Sequence, residues 1–152
     1  MSTPLHANGA SGGWIAQEEG SVKTALVTGA AGFIGSHVVR ELLSEGVHVR
    51  CLVRPGERTD NLDGLVVEIR EGDVRDPAAV GRAVKDVDTV FHLAAVYAIW
   101  MPDWSKIYEV NVQGSRNVLW ACLRGGVGRV VFTSSIAAIG IAPGRGVSSE
   151  KT

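Results

Sequence analysis

Several common chemistries are excluded by what this chain has little of. Only two cysteines, Cys51 and Cys122, occur in 152 residues. Each lies in an apolar segment, and no short C-x-x-C spacing or His/Cys cluster exists to hold zinc, so no metal site is expected. Buried thiols in a reducing cytoplasm are the expectation. No apolar stretch approaches the roughly 18 residues that span a bilayer, and no internal repeat is evident. Charge of one sign is not in excess either. Fifteen Lys and Arg face sixteen Asp and Glu, a formal net charge of -1, which leaves no electrostatic footprint for nucleic acid or an anionic membrane. Residues 1–20 are rich in Gly, Ala and Ser, and lack the basic start and apolar run of a signal peptide, so a disordered tail is expected there. The remaining residues, 21–152, suit one globular domain, since a chain of about 150 residues buries about 68–70% of its unfolded surface.

Glycine, in contrast, is plentiful and concentrated where it matters. Leu26-Val27-Thr28-Gly29-Ala30-Ala31-Gly32-Phe33-Ile34-Gly35 runs an apolar strand through three glycines into an amphipathic helix. Gly29 permits a sharp turn, Gly32 lets a pyrophosphate approach the backbone, and Gly35 lets the helix pack tightly on the strand. The helix N-terminus, with its free N–H groups and positive dipole end, then faces the anion, while Phe33 and Ile34 open the helix beside it. Turn or helix-packing glycines are the plainer alternative. The flanks favour a phosphate seat, because Lys23 to Val27 reads as a strand and Ile34, Val38, Val39, Leu42 and Leu43 recur at helical spacing.

Strand-like and helix-like segments alternate along the rest of the chain, which predicts a parallel sheet with helices on both faces. Further strands are expected at Val47 to Val53, Val66 to Arg70, Thr89 to Leu93 and Arg129 to Ser134. Gly46 ends the first helix, Arg54 to Gly64 reads as a polar loop, and Asp76 caps a short helix, Pro77 to Lys85, with proline at its first position. A longer helix is expected from about Asp103 to Leu123, broken by Gly125-Gly126. Right-handed crossovers give a doubly wound Rossmann-type α/β sheet of order 3-2-1-4-5, with ligand across the carboxyl ends of the strands.

Six motifs fall in a fixed order: Thr28 to Gly35, Val53-Arg54-Pro55-Gly56, Gly72-Asp73-Val74-Arg75-Asp76, His92-Leu93-Ala94-Ala95, Asn111-Val112-Gln113-Gly114 and Phe132-Thr133-Ser134-Ser135. Over residues 22–152 the chain resembles the extended short-chain dehydrogenase/reductase superfamily, including its NAD-dependent epimerases and dehydratases. Within it the likeness is to dihydroflavonol-reductase-like enzymes and hopanoid-associated sugar epimerases. The resemblance implies an oxidoreductase or a sugar-nucleotide epimerase/dehydratase with a nicotinamide dinucleotide cofactor and a small-molecule substrate of the ketone or nucleotide-sugar class.

It also assigns roles. Asp73 would accept a hydrogen bond from the adenine amino group with Val74 beside the ring; a simple Gly-Asp turn is the alternative. Leu93, Ala94 and Ala95 would form the ledge under the cofactor ribose, or merely pack. Ser135 would hydrogen-bond the substrate hydroxyl or carbonyl, with Thr133 and Ser134 nearer the nicotinamide, or the run would merely satisfy backbone groups at a strand end. Asn111 would help organise the catalytic site, or be a polar residue tolerated within a helix. Tyr97, Trp100, Met101, Pro102 and Trp104 would line a substrate pocket, form a satellite cluster or meet a second subunit. His92 has no partner visible in the sequence and reads as structural. Arg54 stands where an NAD-preferring site would carry an acid, and a guanidinium can hold a 2′-phosphate bidentately. NADP(H) is therefore the expected cofactor, with Arg58 assisting and NAD(H) second; a solvated loop arginine is the alternative.

The family's proton transfer needs a tyrosine with a lysine four residues on. The two tyrosines here, Tyr97 and Tyr108, are followed at that position by Met101 and Val112. The expectation is a chain truncated before the catalytic pair, the later strands and the substrate domain. It would bind cofactor without turnover, or serve as a non-catalytic sensor or assembly module. An edge position for the fifth strand makes dimers expected.

Overall fold

The computed structural model describes residues 22–98, 100, 102–142, 144 and 146–149. The tail expected at residues 1–20 and Met101 of the aromatic loop lie outside them. Five parallel strands, β1 (Thr24–Thr28), β2 (His48–Val53), β3 (Glu68–Glu71), β4 (Thr89–His92) and β5 (Arg129–Phe132), form one sheet of order β3-β2-β1-β4-β5. This is the order expected from the sequence. Helix α1 (Phe33–Ser44) joins β1 to β2, α2 (Pro77–Ala83) joins β3 to β4, and a long helical run joins β4 to β5.

The central strands are buried because they are apolar on both faces. Along β1, Ala25 and Val27 join Val39 and Leu42 of α1 with Val49 and Cys51 of β2 in one core. Leu26 points the other way, into a second core with Leu52, Val80, Val90, Val118 and Cys122. Period-two alternation thus divides one strand between two layers. Both cysteines are buried, and burial pushes the Cys51 thiol up to about 12.

Strand boundaries differ from expectation by at most two residues. Val66 is fully outside β3 and exposed, because pairing with β2 begins only where Arg50 meets Glu68. Arg50 Nε donates to the Glu68 carboxylate at 2.8 Å and fixes that register. The fifth strand ends at Phe132, so Thr133 to Ser135 follow it as loop. The 54–64 segment is more than a polar loop: a 3₁₀ turn at Asp60–Leu62 buries Leu62 in the core beneath α1. Helix α2 ends at Ala83, short of Lys85, and is capped by Asp76, whose carboxylate accepts from Ala78 N at 2.9 Å. Gly46 follows α1 with φ +76°, the left-handed conformation that ends helices.

The long helical run is not uniform. It begins as α3 (Ser105–Tyr108), widens into a π-helical segment (Glu109–Gly114) and continues as α4 (Ser115–Gly125). Short π segments are over-represented at functional sites. This one contains Asn111.

Candidate functional site

The carboxyl ends of the parallel strands lie along one edge of the sheet, and the strand order reverses between β1 and β4. Gly29 leaves β1 with φ +70°, and a Cβ there would stand 2.8 Å from Ala94 N. At Gly35 a Cβ would lie 2.0 Å from the Gly29 carbonyl oxygen, so α1 can approach the turn only as glycine. Gly32 N–H closes the turn by donating to Gly29 O at 3.1 Å. Gly32 is also the N-cap of α1; no side chain caps it, and the first turn carries no acidic residue. Phe33 and Ile34 are exposed there. The seat is braced from behind. Asn61 Nδ2 donates to Ala31 O at 2.8 Å, and Arg40 donates to Ser36 O at 3.0 Å and to Asn61 O at 2.8 Å.

On the β2–β3 side the groups are charged. The Arg54 guanidinium, just past β2, donates to both Glu57 carboxylate oxygens, with Nη2–Oε1 at 3.1 Å, and Arg54 N–H donates to the same side chain at 3.1 Å. Burial pushes the Glu57 carboxyl up, and the hydrogen bonds and charge of Arg54 outweigh it, leaving it below the usual carboxylate range. Arg58 pairs with Asp60 instead of reaching Arg54's partner. The Asp73 carboxylate accepts from Arg75 Nη2 at 2.8 Å and from Arg75 N at 2.8 Å. That hydrogen bonding, with the charge of Arg75 and Arg54 behind it, holds Asp73 below its ordinary value. Arg75 also donates to Glu109 at 3.1 Å, on the first residue of the π segment. Val74 is buried and packs against Gly114, where a Cβ would meet Val74 Cγ2 at 2.7 Å.

On the β1–β4 side the groups are neutral and buried. Thr28 and His92 are register partners at the ends of their strands. Thr28 Oγ1 lies 2.6 Å from His92 Nδ1, and His92 Nε2 lies 2.9 Å from Ser115 Oγ. His92, read from the sequence as structural, has two partners where the sequence showed none. Burial lowers its imidazole to about 4, so it is neutral near pH 7. Leu93 N–H donates to Thr28 O at 3.2 Å and Ala94 N–H to Thr28 Oγ1 at 3.2 Å. Ala95 is exposed beyond them. Asn111 clamps the backbone of Val96, accepting from its N–H at 2.7 Å and donating to its carbonyl at 2.9 Å. Thr133, Ser134 and Ser135 are exposed after β5, with Thr133 N–H donating to His92 O at 3.1 Å. The aromatic side chains of Tyr97, Trp100 and Trp104 are exposed.

The structure therefore gathers Gly29, Gly32, Gly35, Arg54, Asp73, Leu93, Ala94 and Asn111 around the strand ends. Sequence reasoning missed Glu57, Asn61 and Ser115. A polar pair at the inner ends of two otherwise apolar strands is a signal for such partners, because buried polar groups are almost always hydrogen-bonded. Among the described residues no group of His, Cys, Asp and Glu could hold a metal ion, and no helix is long and apolar enough to cross a membrane.

A doubly wound sheet with a glycine seat at its switch point defines a Rossmann-type nucleotide-binding fold. The sequence model of the NAD dependent epimerase/dehydratase family matches residues 25–152, and the chain belongs to that family. It is 40% identical over 128 residues to a putative dihydroflavonol 4-reductase of Synechocystis sp., covering 84% of this chain and 36% of that protein. It is 42% identical over 127 residues to sterol demethylase protein B of Methylococcus capsulatus, covering 84% of this chain and 38% of that protein. Among solved structures it is similar to the UDP-glucose 4-epimerase of Thermus thermophilus in complex with NAD, with 36% identity and a TM-score of 0.64 over 72% of this chain and 36% of that one. The chain thus spans little more than a third of the length of these relatives.

Proposed function

We propose that this chain is the dinucleotide-binding part of a reductase or sugar-nucleotide epimerase/dehydratase, and that it takes NADP(H) in preference to NAD(H). The observation that carries the reading is the seat: a glycine turn with no room for a Cβ at Gly29 or Gly35, set against the uncapped N-terminus of α1. A pyrophosphate fits it, because the exposed backbone N–H groups and the helix dipole both favour an anion. Gly29, Gly32, Phe33, Ile34 and Gly35 would hold the pyrophosphate. Asp73 and Val74 would flank the adenine, Leu93, Ala94 and Ala95 the ribose, and Thr133 and Ser134 the nicotinamide. When bound, the dinucleotide supplies hydride transfer.

Preference between the two cofactors rests on Arg54. Its guanidinium is held by Glu57, so a 2′-phosphate takes over from that carboxylate as the bidentate partner. A hydrogen bond to a charged group is worth roughly 1.5–3 kcal/mol, which corresponds to about a tenfold to hundredfold preference. Titration of residues 1–152 with NADPH and NADH by fluorescence tests this. Tighter NADPH binding that Arg54→Ala removes is expected; equal affinities would overturn it.

Turnover is a separate matter. Ser135 can orient a substrate oxygen and Asn111 can organise the loop beside it, but neither tyrosine of the chain has a lysine four residues on. Residues 1–152 alone are expected to bind cofactor without reducing ketone or epimerising nucleotide-sugar substrates. Substrate-dependent NADPH oxidation abolished by Ser135→Ala would refute this. The cytoplasm and a homodimer are the compartment and partner state we propose. For the latter, β5 is a sheet edge bearing the half-exposed Val131 and Phe132. Apolar edges favour pairing, which sedimentation velocity across concentration would read as dimers.

A further inference from the structure

The polar groups at the ends of β1 and β4 form a chain whose proton positions follow from its acceptors together with the neutral state of the buried ring. Ser115 has one hydroxyl proton, and it goes to Asn111 O at 2.7 Å, since a carbonyl can only accept. The contact between Ser115 Oγ and His92 Nε2 at 2.9 Å therefore needs its proton from the imidazole. A neutral ring protonated on Nε2 has a bare Nδ1. Thr28 must then donate its hydroxyl to Nδ1 across 2.6 Å, and the Thr28 oxygen is left to accept from Ala94 N–H at 3.2 Å. Every donor points the same way, from Ala94 through Thr28, His92 and Ser115 to Asn111. Such aligned chains polarise one another and strengthen.

Both ends of the chain lie on backbone that shapes the cleft. At one end is Ala94, whose N is the nearest atom to a Cβ built on Gly29, so the position of Ala94 sets the room for the turn. At the other is Asn111, whose side chain grips Val96 by both its N–H and its carbonyl. Residues 93–96 are thus held twice, once through Thr28 and once through Asn111, and His92 is the piece that joins the two holds. Burial is nearly complete along it: Thr28 is 0%, His92 2% and Ser115 9% exposed. No charged side chain bonds to any of the three among the described residues.

We infer that His92 is a positioning residue for the dinucleotide cleft: fixed as the Nε2-protonated tautomer, it ties the Gly29 turn and the 93–96 ledge to the π-helical segment without itself touching cofactor. The inference rests on the dinucleotide reading of the cleft only for its effect on affinity; the tautomer and the bracing stand apart from it.

Two measurements on ¹⁵N-labelled residues 1–152 test it. Long-range ¹H–¹⁵N correlation of the imidazoles near pH 7, with the His92 signals assigned by their loss in His92→Gln, is expected to show a neutral ring protonated on Nε2. A ring protonated on Nδ1 would overturn the inference. Thr28→Val, which keeps the side-chain shape and deletes the donor, is expected to speed exchange of the Ala94 amide and weaken dinucleotide binding about tenfold, and Thr28→Ser to restore both. Unchanged Ala94 exchange in a folded Thr28→Val, or failure of Thr28→Ser to rescue, would also overturn it. If the wild-type chain binds neither dinucleotide, the functional reading fails while the tautomer and the Ala94 exchange still decide this one.

Discussion

The two sides of the cleft are built from opposite materials. Where β2 and β3 end, Arg54–Glu57 and Asp73–Arg75–Glu109 form a row of alternating charges open to solvent. Where β1 and β4 end, Thr28, His92 and Ser115 form a neutral row sealed in the core. Exposed ion pairs contribute little and exchange partners readily. Buried neutral hydrogen bonds contribute modestly but are costly to leave unmade. The first side can therefore trade one anion for another, as the NADP(H) preference proposed above requires, while the second holds a shape. The π-helical segment belongs to both, through Glu109 at its start and Asn111 within it.

The sharpest break of this comparison is at the turn between the two sides. Gly35→Ala puts a Cβ within 2.0 Å of a backbone oxygen that has no side chain to move aside. We expect dinucleotide binding to be lost and stability to fall by about 3 kcal/mol, read by cofactor titration and urea denaturation.

Acid separates the two sides next. His92 is lowered to about 4 from 6.5, so below pH 6.5 the unfolded chain takes up a proton that the folded chain refuses. Stability is then full above pH 6.5 and falls as pH drops toward 4, by about 3 kcal/mol in all. Asp73 and Glu57 have folded values below their ordinary 3.8 and 4.5. Their contribution is present above those values and is lost only as pH falls through the lower folded ones. Denaturation midpoints measured from pH 7.5 to 3 are expected to show the upper slope first, and His92→Gln to remove that slope alone. A flat profile between pH 6.5 and 4.5 in the wild type would mean that the buried side is not sealed.

Smaller effects sharpen the charged side. Arg54→Ala is expected to cost NADPH about tenfold to hundredfold in affinity and NADH little. Glu57→Gln, by releasing the guanidinium, is expected to raise NADPH affinity while leaving NADH unchanged; both are read by fluorescence titration. Least of all, Asp60→Asn removes the partner of the exposed Arg58, and a change within about 0.5 kcal/mol is expected by denaturation. A larger loss would show that the 54–64 segment is held by charge as well as by Leu62 and Asn61.

The sheet order and the glycine turn were legible because both are local. Thr28 to Gly35 carries its own strand, turn and helix, and strands alternating with helices leave few topologies. The bonds that organise the site were not legible because they are distant. Thr28 and His92 are 64 residues apart, and His92 and Ser115 are 23 apart, so neither pairing leaves a spacing to read. Glu57 was hidden differently. It is three residues from Arg54, but in a loop that spacing signals no contact, since only a helix sets residues three apart face to face. The π segment had no signature at all, since Glu109–Gly114 is composed of residues ordinary in an α-helix apart from its final glycine.

The Thr28–His92 pair has one more consequence, during assembly. Parallel strands 64 residues apart in sequence must find each other late and without a connecting hairpin to set their alignment. A slip of one residue between β1 and β4 would turn His92 to the opposite face and set an apolar neighbour, Phe91 or Leu93, beside Thr28. The hydroxyl and the imidazole would each be shut away from water with no partner, at about 1–3 kcal/mol apiece. An all-apolar pair of strand ends would tolerate that slip. These two polar residues, placed among valines and leucines, make the correct alignment the only comfortable one.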